Sequence, residues 1–369
     1  MLRDELLAEA LRRGFAAAGV SGVRPFVRAR ERALRAVREG RLEGMPWYDE
    51  HRVRGITDPA GPNPWAHSLL ALAWPVAPAV APGDEVRTPP PTAPGRPRGR
   101  IASYACLRDG EDGAVVDYHD ALTAACDGLG EWLRARVPDL RWKRFVDHGW
   151  AMDRAVAERA GIGFAGKHAG LITTRAGSYV LLAEMLLSVR LPPTPPSRRS
   201  CGRCTACLPA CPTGAIVEPG VIDARRCISY LTVEHRGSIP IELRPLMGTW
   251  AFGCDLCQEA CPINARVAPA PLDPGAATTR SGPVPFPDLV ECLEVDEDEF
   301  RRRFRRTAVW RTGRAGLARN AAIALGNAGD PAATPALRRA RDGDADPVVR
   351  EAADWALRRL EETAAPSRG

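Results

Sequence analysis

The sequence predicts a mixed α/β chain in three units: an α+β N-terminal half, a compact cysteine-rich module and an all-helical C-terminal segment. Three observations predict it. Two apolar runs, Leu69-Leu70-Ala71-Leu72-Ala73-Trp74 and Tyr179-Val180-Leu181-Leu182-Ala183-Glu184, read as buried strands set among helical patterns. Eight of the eleven cysteines fall between Cys201 and Cys261. Beyond a proline-rich stretch from Val267 to about Asp288, the chain turns helical and repeats itself. Arg319-Asn320-Ala321-Ala322 recurs as Arg350-Glu351-Ala352-Ala353, 31 residues on.

In chain order, MLRDELLAEALRRGF reads as an amphipathic helix carrying acids, not as a charged-then-apolar signal peptide. A cytoplasmic location is therefore expected, and disulfides are not. Pro82 to Arg100 is so rich in Pro, Gly and Arg that a mobile loop inside the first unit is expected. The longest apolar stretches, about Ser68 to Ala81 and Tyr179 to Val189, are short or broken by prolines, which argues against a membrane span. Leu191 to Arg199, LPPTPPSRR, reads as a boundary. In the tail, Asp330-Pro331 and Asp346-Pro347 read as helix starts, with Asp as cap and Pro in the first turn. With 369 residues the chain can hold two or three domains; a monomer is expected.

The cysteines carry the chemistry. Cys201-x2-Cys204-x2-Cys207-x3-Cys211-Pro212 and Cys254-x2-Cys257-x3-Cys261-Pro262 have the spacing of bacterial two-cluster ferredoxins, in which the last Cys of a run ligates the other cluster. The second run is one Cys short, and Cys227 is the nearby candidate to complete it. The pairing predicted is Cys201, Cys204, Cys207 and Cys261 for one [4Fe–4S] cluster, and Cys211, Cys227, Cys254 and Cys257 for the other. Structural zinc sites rarely use overlapping triads followed by Cys-Pro, so zinc is the weaker reading. Cys106, Cys126 and Cys292 lack ligand spacing and read as buried thiols.

The net charge of +6 excludes nothing by itself. Arg301, Arg302, Arg303, Arg305, Arg306, Arg311, Arg314 and Arg319, however, form a run of eight arginines with no acid between them. Two readings stay open: a phosphate-binding face with Phe304 and Trp310 available to pack or stack, or a solvated helix face neutralised by the acids from Glu291 to Glu299. No Gly-x-Gly-x-x-Gly follows a strand, so no nicotinamide or flavin fingerprint is present. An Asp-x-His-x-x-Gly motif is also missing, since after Asp49-x-His51 the glycine is Gly55, one residue late.

Several motifs in one order resemble the epoxyqueuosine reductase family. They are Phe145-Val146-Asp147, the run from Asp153 to Phe164, Gly166-Lys167-His168, Arg226-Cys227-Ile228-Ser229 and Gly253-Cys254-Asp255. The likeness covers about residues 45 to 265 and reaches into the tail. It implies a cobalamin-binding α/β (α+β) domain over 1–195, a ferredoxin-like module with two [4Fe–4S] clusters over 196–275, and an all-α HEAT-like domain over 276–369. It further implies cobalamin bound without a histidine on cobalt, reduced by the clusters, and acting on tRNA that carries epoxyqueuosine at the wobble position. Electrons would come from an unidentified donor.

Asp147 matches the family's proton donor, which needs a carboxyl kept protonated near neutral pH; Trp150 and the corrin could supply the pocket. Arg54, Leu171, Leu182, Ser229 and Asp255, with Asp147, match cobalamin-contacting positions. Arg236 matches a position that faces RNA, and Arg302, Arg305 and Arg306 become RNA-binding candidates. The chain departs from the family at His148, where Thr is common, at Ser103-Tyr104-Ala105, where Arg-Tyr-Ala is usual, and in an insertion over 109–113. The competing readings are a corrinoid reductase of a small molecule such as an organohalide, and a non-enzymatic electron carrier or RNA-binding module.

Overall fold

The computed structural model describes residues 2–79, 91–109, 114–149, 151–267 and 283–364. Trp150, the centre of the 109–113 insertion, the first part of the Pro82–Arg100 loop and most of the 267–288 linker lie outside the described residues.

Both predicted strands form, as Ser68–Pro75 and Val180–Leu187, and pair along their whole length in an antiparallel ladder. Ala17–Ser21 adds to one edge and Trp142–Phe145 to the other, giving a four-stranded antiparallel sheet. Both middle strands are apolar apart from Ser68 and Glu184, because both faces of the sheet are covered. On one face the helix Tyr118–Arg134 turns Ala121, Leu122, Cys126, Leu129 and Leu133 inward at helical spacing. It approaches so closely that a Cβ at Gly130 would fall 2.3 Å from the Trp142 ring. On the other face the short helix Asp153–Arg159 buries Val156 and Ala157 among Leu69, Ala71 and Leu186. That helix ends at Gly161, whose φ of +73° is the left-handed turn glycine provides after a C-terminus.

One hydrophobic core runs through all three units, from Leu6 and Leu122 through Leu231 and Phe252 to Leu293 and Leu325. Trp250–Phe252 of the cysteine module pairs in parallel with Arg100–Ile101 of the N-terminal unit. The three remaining cysteines, Cys106, Cys126 and Cys292, are buried in this core.

The loop expected to be mobile is anchored where it is described. Arg96 donates to Asp288 Oδ2 at 2.8 Å, Thr92 to the same oxygen at 2.7 Å, and the Gly95 amide to Asp330 Oδ2 at 2.8 Å. The mobile reading fails for 91–100 because its polar groups find partners at two helix caps distant in sequence.

In the tail, helices Gly313–Ala328, Thr334–Gly343 and Pro347–Ala364 pack on one another. Asp330 caps a single 3₁₀ turn ahead of Thr334, and Asp346 accepts from the Val348 amide at 2.8 Å. Among the described residues no helix is long and apolar enough to cross a membrane.

Candidate functional site

The edge strand ends at Phe145, and two residues on the backbone of Asp147 takes φ +51°, followed by Gly149 at +91°. A positive φ is unusual for a non-glycine residue and is held only where surroundings over-determine it. The Tyr118 hydroxyl, at the start of its helix, donates to Asp147 Oδ2. Burial and then the Asp147 charge push the Tyr118 phenol up, so the tyrosine stays the donor. Tyr118 stacks on His119 at 4.1 Å, and Tyr104 meets Tyr118 edge-on at 5.8 Å. His148, the departure beside Asp147, meets His119 edge-on at 5.5 Å.

Arg311 closes the site from the other end of the chain. Its guanidinium lies 4.9 Å from the centre of the Tyr118 ring, reaches His119 Nδ1, and donates to Asp117 Oδ1 at 3.1 Å.

A second carboxyl pair stands beside Asp147. Glu184 points from the middle of the sheet, opposite Ala71 and Phe145, and is fully buried. Neither of its oxygens receives a hydrogen bond from an ordinary donor among the described residues. Its polar neighbour is the carboxyl of Asp153, in the first turn of the overlying helix, which disfavours a negative charge on Glu184. Burial and then the Asp147 charge push Asp153 up to about 7; burial and then Asp153 push Glu184 well above its ordinary range.

The eight cysteines fall into two sets. Burial raises the Cys207 thiol, and the charges adding to that come from Cys201, Cys261 and Cys204. Burial likewise raises Cys254, with Cys257 and Cys227 next, and Cys227, with Cys211 next. Cys257 is raised by burial, then by Cys227, Asp255 and Cys211, and last by Cys207, so the two sets lie side by side.

The second set abuts the Asp147 site. Asp255, between Cys254 and Cys257, accepts from both the amide and the hydroxyl of Ser103, at 2.7 and 2.6 Å. The neighbouring Tyr104 is half-buried and feels the charges of Arg311, Asp147 and Asp255. Asn264 accepts from the Ser178 amide at 2.8 Å, pinning the turn before strand Val180–Leu187 to the cysteine module.

The other predicted residues are scattered. Leu182 shares a sheet face with Glu184, Leu171 is buried nearby, and Ser229 is half-buried in the helix after Cys227. Arg54 is exposed and pairs with Glu50 at 3.1 Å. Arg236 donates to the carbonyls of Val233 and Arg311, at 2.8 and 2.5 Å. Arg302 pairs with Glu299, whereas Arg305 and Arg306 are exposed with no acidic partner among the described residues. Phe304, expected to be available for stacking, is buried, because the helix Glu297–Phe304 turns it and Phe300 into the core. Trp310 is 40% exposed and stacks on Phe300.

Comparison with known proteins bears on this layout. Residues 200–264 match the 4Fe-4S double cluster binding domain. An epoxyqueuosine reductase of Pseudomonas aeruginosa is 42% identical over 250 residues, 67% of this chain and 68% of that protein. The chain belongs to the epoxyqueuosine reductase family. The epoxyqueuosine reductase of Shigella dysenteriae serotype 1 is 40% identical over 259 residues; the match spans 70% of this chain but only 65% of that relative's length. A crystal structure of an epoxyqueuosine reductase with an epoxyqueuosine-modified tRNA-Tyr stem loop superposes with a TM-score of 0.82 at 34% identity, covering 97% of this chain and 90% of that one.

Against this epoxyqueuosine reductase background, four residues of the site had escaped the sequence reading: Tyr118, Asp153, Glu184 and Arg311. The signal for Glu184 was visible, a lone carboxylate inside the apolar run VLLAEMLL. Arg311 had no local signal, since its partner Asp117 is 194 residues away.

Proposed function

We propose that the chain reduces epoxyqueuosine to queuosine at the wobble position of tRNA anticodons. The observation that carries this reading is Asp147, held by Tyr118 on a turn of positive φ, with Tyr104 packed on Tyr118 and feeling the charges of both Asp147 and Asp255 of the cysteine set completed by Cys227. Removing an epoxide oxygen as water takes two electrons and two protons. Two [4Fe–4S] clusters, on the two cysteine sets assigned above, would carry the electrons, and cobalamin, when bound, would supply a strong low-potential reductant.

The chain's own residues supply the proton. With Oδ2 engaged by Tyr118, Oδ1 of Asp147 is left free to take up a proton from solvent and pass it to the epoxide oxygen as the C–O bond opens, and to do so again for the second proton of the water released. Arg311 and Asp117 fix Tyr118 and His119 from behind, so Asp147 meets the substrate in one orientation.

Two buried donors without a partner among the described residues support a large polar cofactor. His168 Nδ1 accepts from the Gly170 amide at 3.0 Å, which leaves the proton on Nε2, and that atom has no acceptor. Burial holds His168 down to about 4, so the ring is neutral. The Tyr179 hydroxyl is likewise buried and unpaired. Leu171, Leu182 and Ser229 would line the cofactor, and Arg54 would reach it from the surface. Asp255 acts by holding Ser103.

The division into 1–195, 196–275 and 276–369, with HEAT-like packing in the last, remains our reading of the shared core, and a cytoplasmic monomer our reading of its setting. Arg305 and Arg306, beside exposed Trp310, suit tRNA phosphate.

The test is metal analysis of anaerobically reconstituted protein together with mass spectrometry of nucleosides from treated tRNA. About eight iron and one cobalt per chain, with epoxide converted to alkene, is expected. Cobalt with no tRNA turnover would point to a small-molecule substrate instead; turnover without cobalt would remove the cobalamin.

A further inference from the structure

The geometry points to an interaction surface at the first cysteine set: an acidic one-electron carrier protein docks at Cys204 and delivers electrons there. This rests on the cluster assignment above. Cys204 is the one exposed cysteine of the eight, whereas Cys207 and Cys261 of the same set are buried. A cluster held by these residues therefore has one edge open to solvent, on the set other than the one beside Asp147.

That edge is ringed by unopposed positive charge. From Met185 to Val217 the sequence contains Arg190, Arg198, Arg199 and Arg203 and no acidic residue. Arg198, Arg199 and Arg203 are exposed, and none pairs with an acid among the described residues. Lys167 adds its charge from the preceding hairpin, donating to the Gly202 carbonyl at 2.9 Å. Arg199 and Arg266 face a common cleft floored by Phe164 and Ile263, and both apolar side chains pack in the cluster that includes Cys261 and Cys201. A cationic rim around a small apolar floor suits a brief encounter with an acidic protein, steered by charge and released readily.

RNA fits this face less well. Recognition of single-stranded RNA uses exposed aromatic rings for stacking, and the exposed large aromatics among the described residues are Trp47 and Trp310, neither in this segment. Each encounter transfers one electron: the carrier is oxidised by one and the cluster reduced by one. Two encounters supply the pair of electrons the epoxide requires, and the protons enter separately through Asp147.

The test uses the full, reconstituted chain and an acidic FMN-carrying protein reduced to its hydroquinone, with cluster bleaching followed by stopped flow under anaerobic conditions. Changing Arg198, Arg199 and Arg203 together to Glu should slow reduction by the carrier roughly tenfold to a hundredfold at low salt. The unmodified chain should slow as salt rises, and the Glu variant should lose that dependence. Lysine at the three positions should largely keep the rate, and iron content should be unchanged in both variants. Reduction by dithionite, which needs no docking, should be alike in all three proteins. A Glu variant reduced by the carrier at the unmodified rate overturns the proposal, as does one that keeps this rate while losing tRNA affinity, which would give the face to RNA. If dithionite bleaches none of them, the cluster assignment fails and the docking site with it.

Discussion

The chain concentrates charge in two places, and they behave as opposites. Beside Asp147, half-buried Asp153 and fully buried Glu184 are both raised, chiefly by burial. Between Arg301 and Arg319 the charges are more numerous but mostly settled. Arg301 and Arg302 pair within their own helix, Arg314 makes a double contact with Asp344 at 2.7 Å, and Arg319 is buried against the carbonyls of Leu231, His235 and Gly237. Charge density along a sequence is thus a poor guide to chemistry; what decides is whether a charge is already partnered. The two arginines left over, Arg305 and Arg306, and the one that reaches the acidic site, Arg311, are the members of the run with work still to do.

The largest effect is expected at the acid itself. Asp147→Ala should cut epoxide turnover by about a hundredfold to ten-thousandfold, the usual range for a general acid, with iron and cobalt content unchanged. Wild-type turnover in that variant would remove Asp147 from the chemistry and collapse the contrast. Arg311→Ala should come next, lowering kcat by about tenfold or more while KM for tRNA stays within a few-fold, because it orients Tyr118 and His119. Its neighbour serves as the control: Arg302→Ala, which loses only an exposed pair, should leave kcat near wild type. If the two variants match, Arg311 is one more surface charge.

A smaller effect is expected in the basic segment. Changing Arg305 and Arg306 to Glu should weaken tRNA binding and reduce its salt slope by roughly two, with kcat at saturation retained. Unaltered binding would return both residues to a solvated face. The smallest effect is on stability. Asp153 sits at about 7 in the fold against 3.8 for an ordinary aspartate, so the folded chain holds an extra proton between those values. Stability therefore falls as pH rises through this window, and Asp153→Asn should raise Tm most above pH 7 and least near pH 4. A uniform shift across pH would mean that Asp153 holds no extra proton in the fold.

Local features of the site were legible in advance, and distant ones were not. The cysteine sets could be read because ligand spacing is a property of a short stretch, with Cys227 the only residue brought in from outside the runs. The two middle strands were legible because short apolar runs of strand length, flanked by turn-forming residues such as Pro75, Gly177 and Pro192, suit a sheet covered on both faces. Arg311 was misread as part of a charge run because nothing near it in sequence reveals Asp117. Phe304 was misread because an arginine-rich helix still turns one side to the core. The 91–100 segment looked free because its anchors, Asp288 and Asp330, double as helix caps.

The pairing of Trp250–Phe252 with Arg100–Ile101 also has a consequence for the order of events during synthesis. Asn320 ties the carbonyls of Thr232 and Ala251 at 2.8 and 2.9 Å, and the core that begins at Leu6 is completed only by Leu360. The N-terminal half therefore cannot finish folding on the ribosome while the tail is still being made, and contacts so remote in sequence form slowly. Cys207 and Cys261 are buried once the fold closes, so cluster insertion into a nearly complete but still open chain is expected to outpace insertion into the closed one.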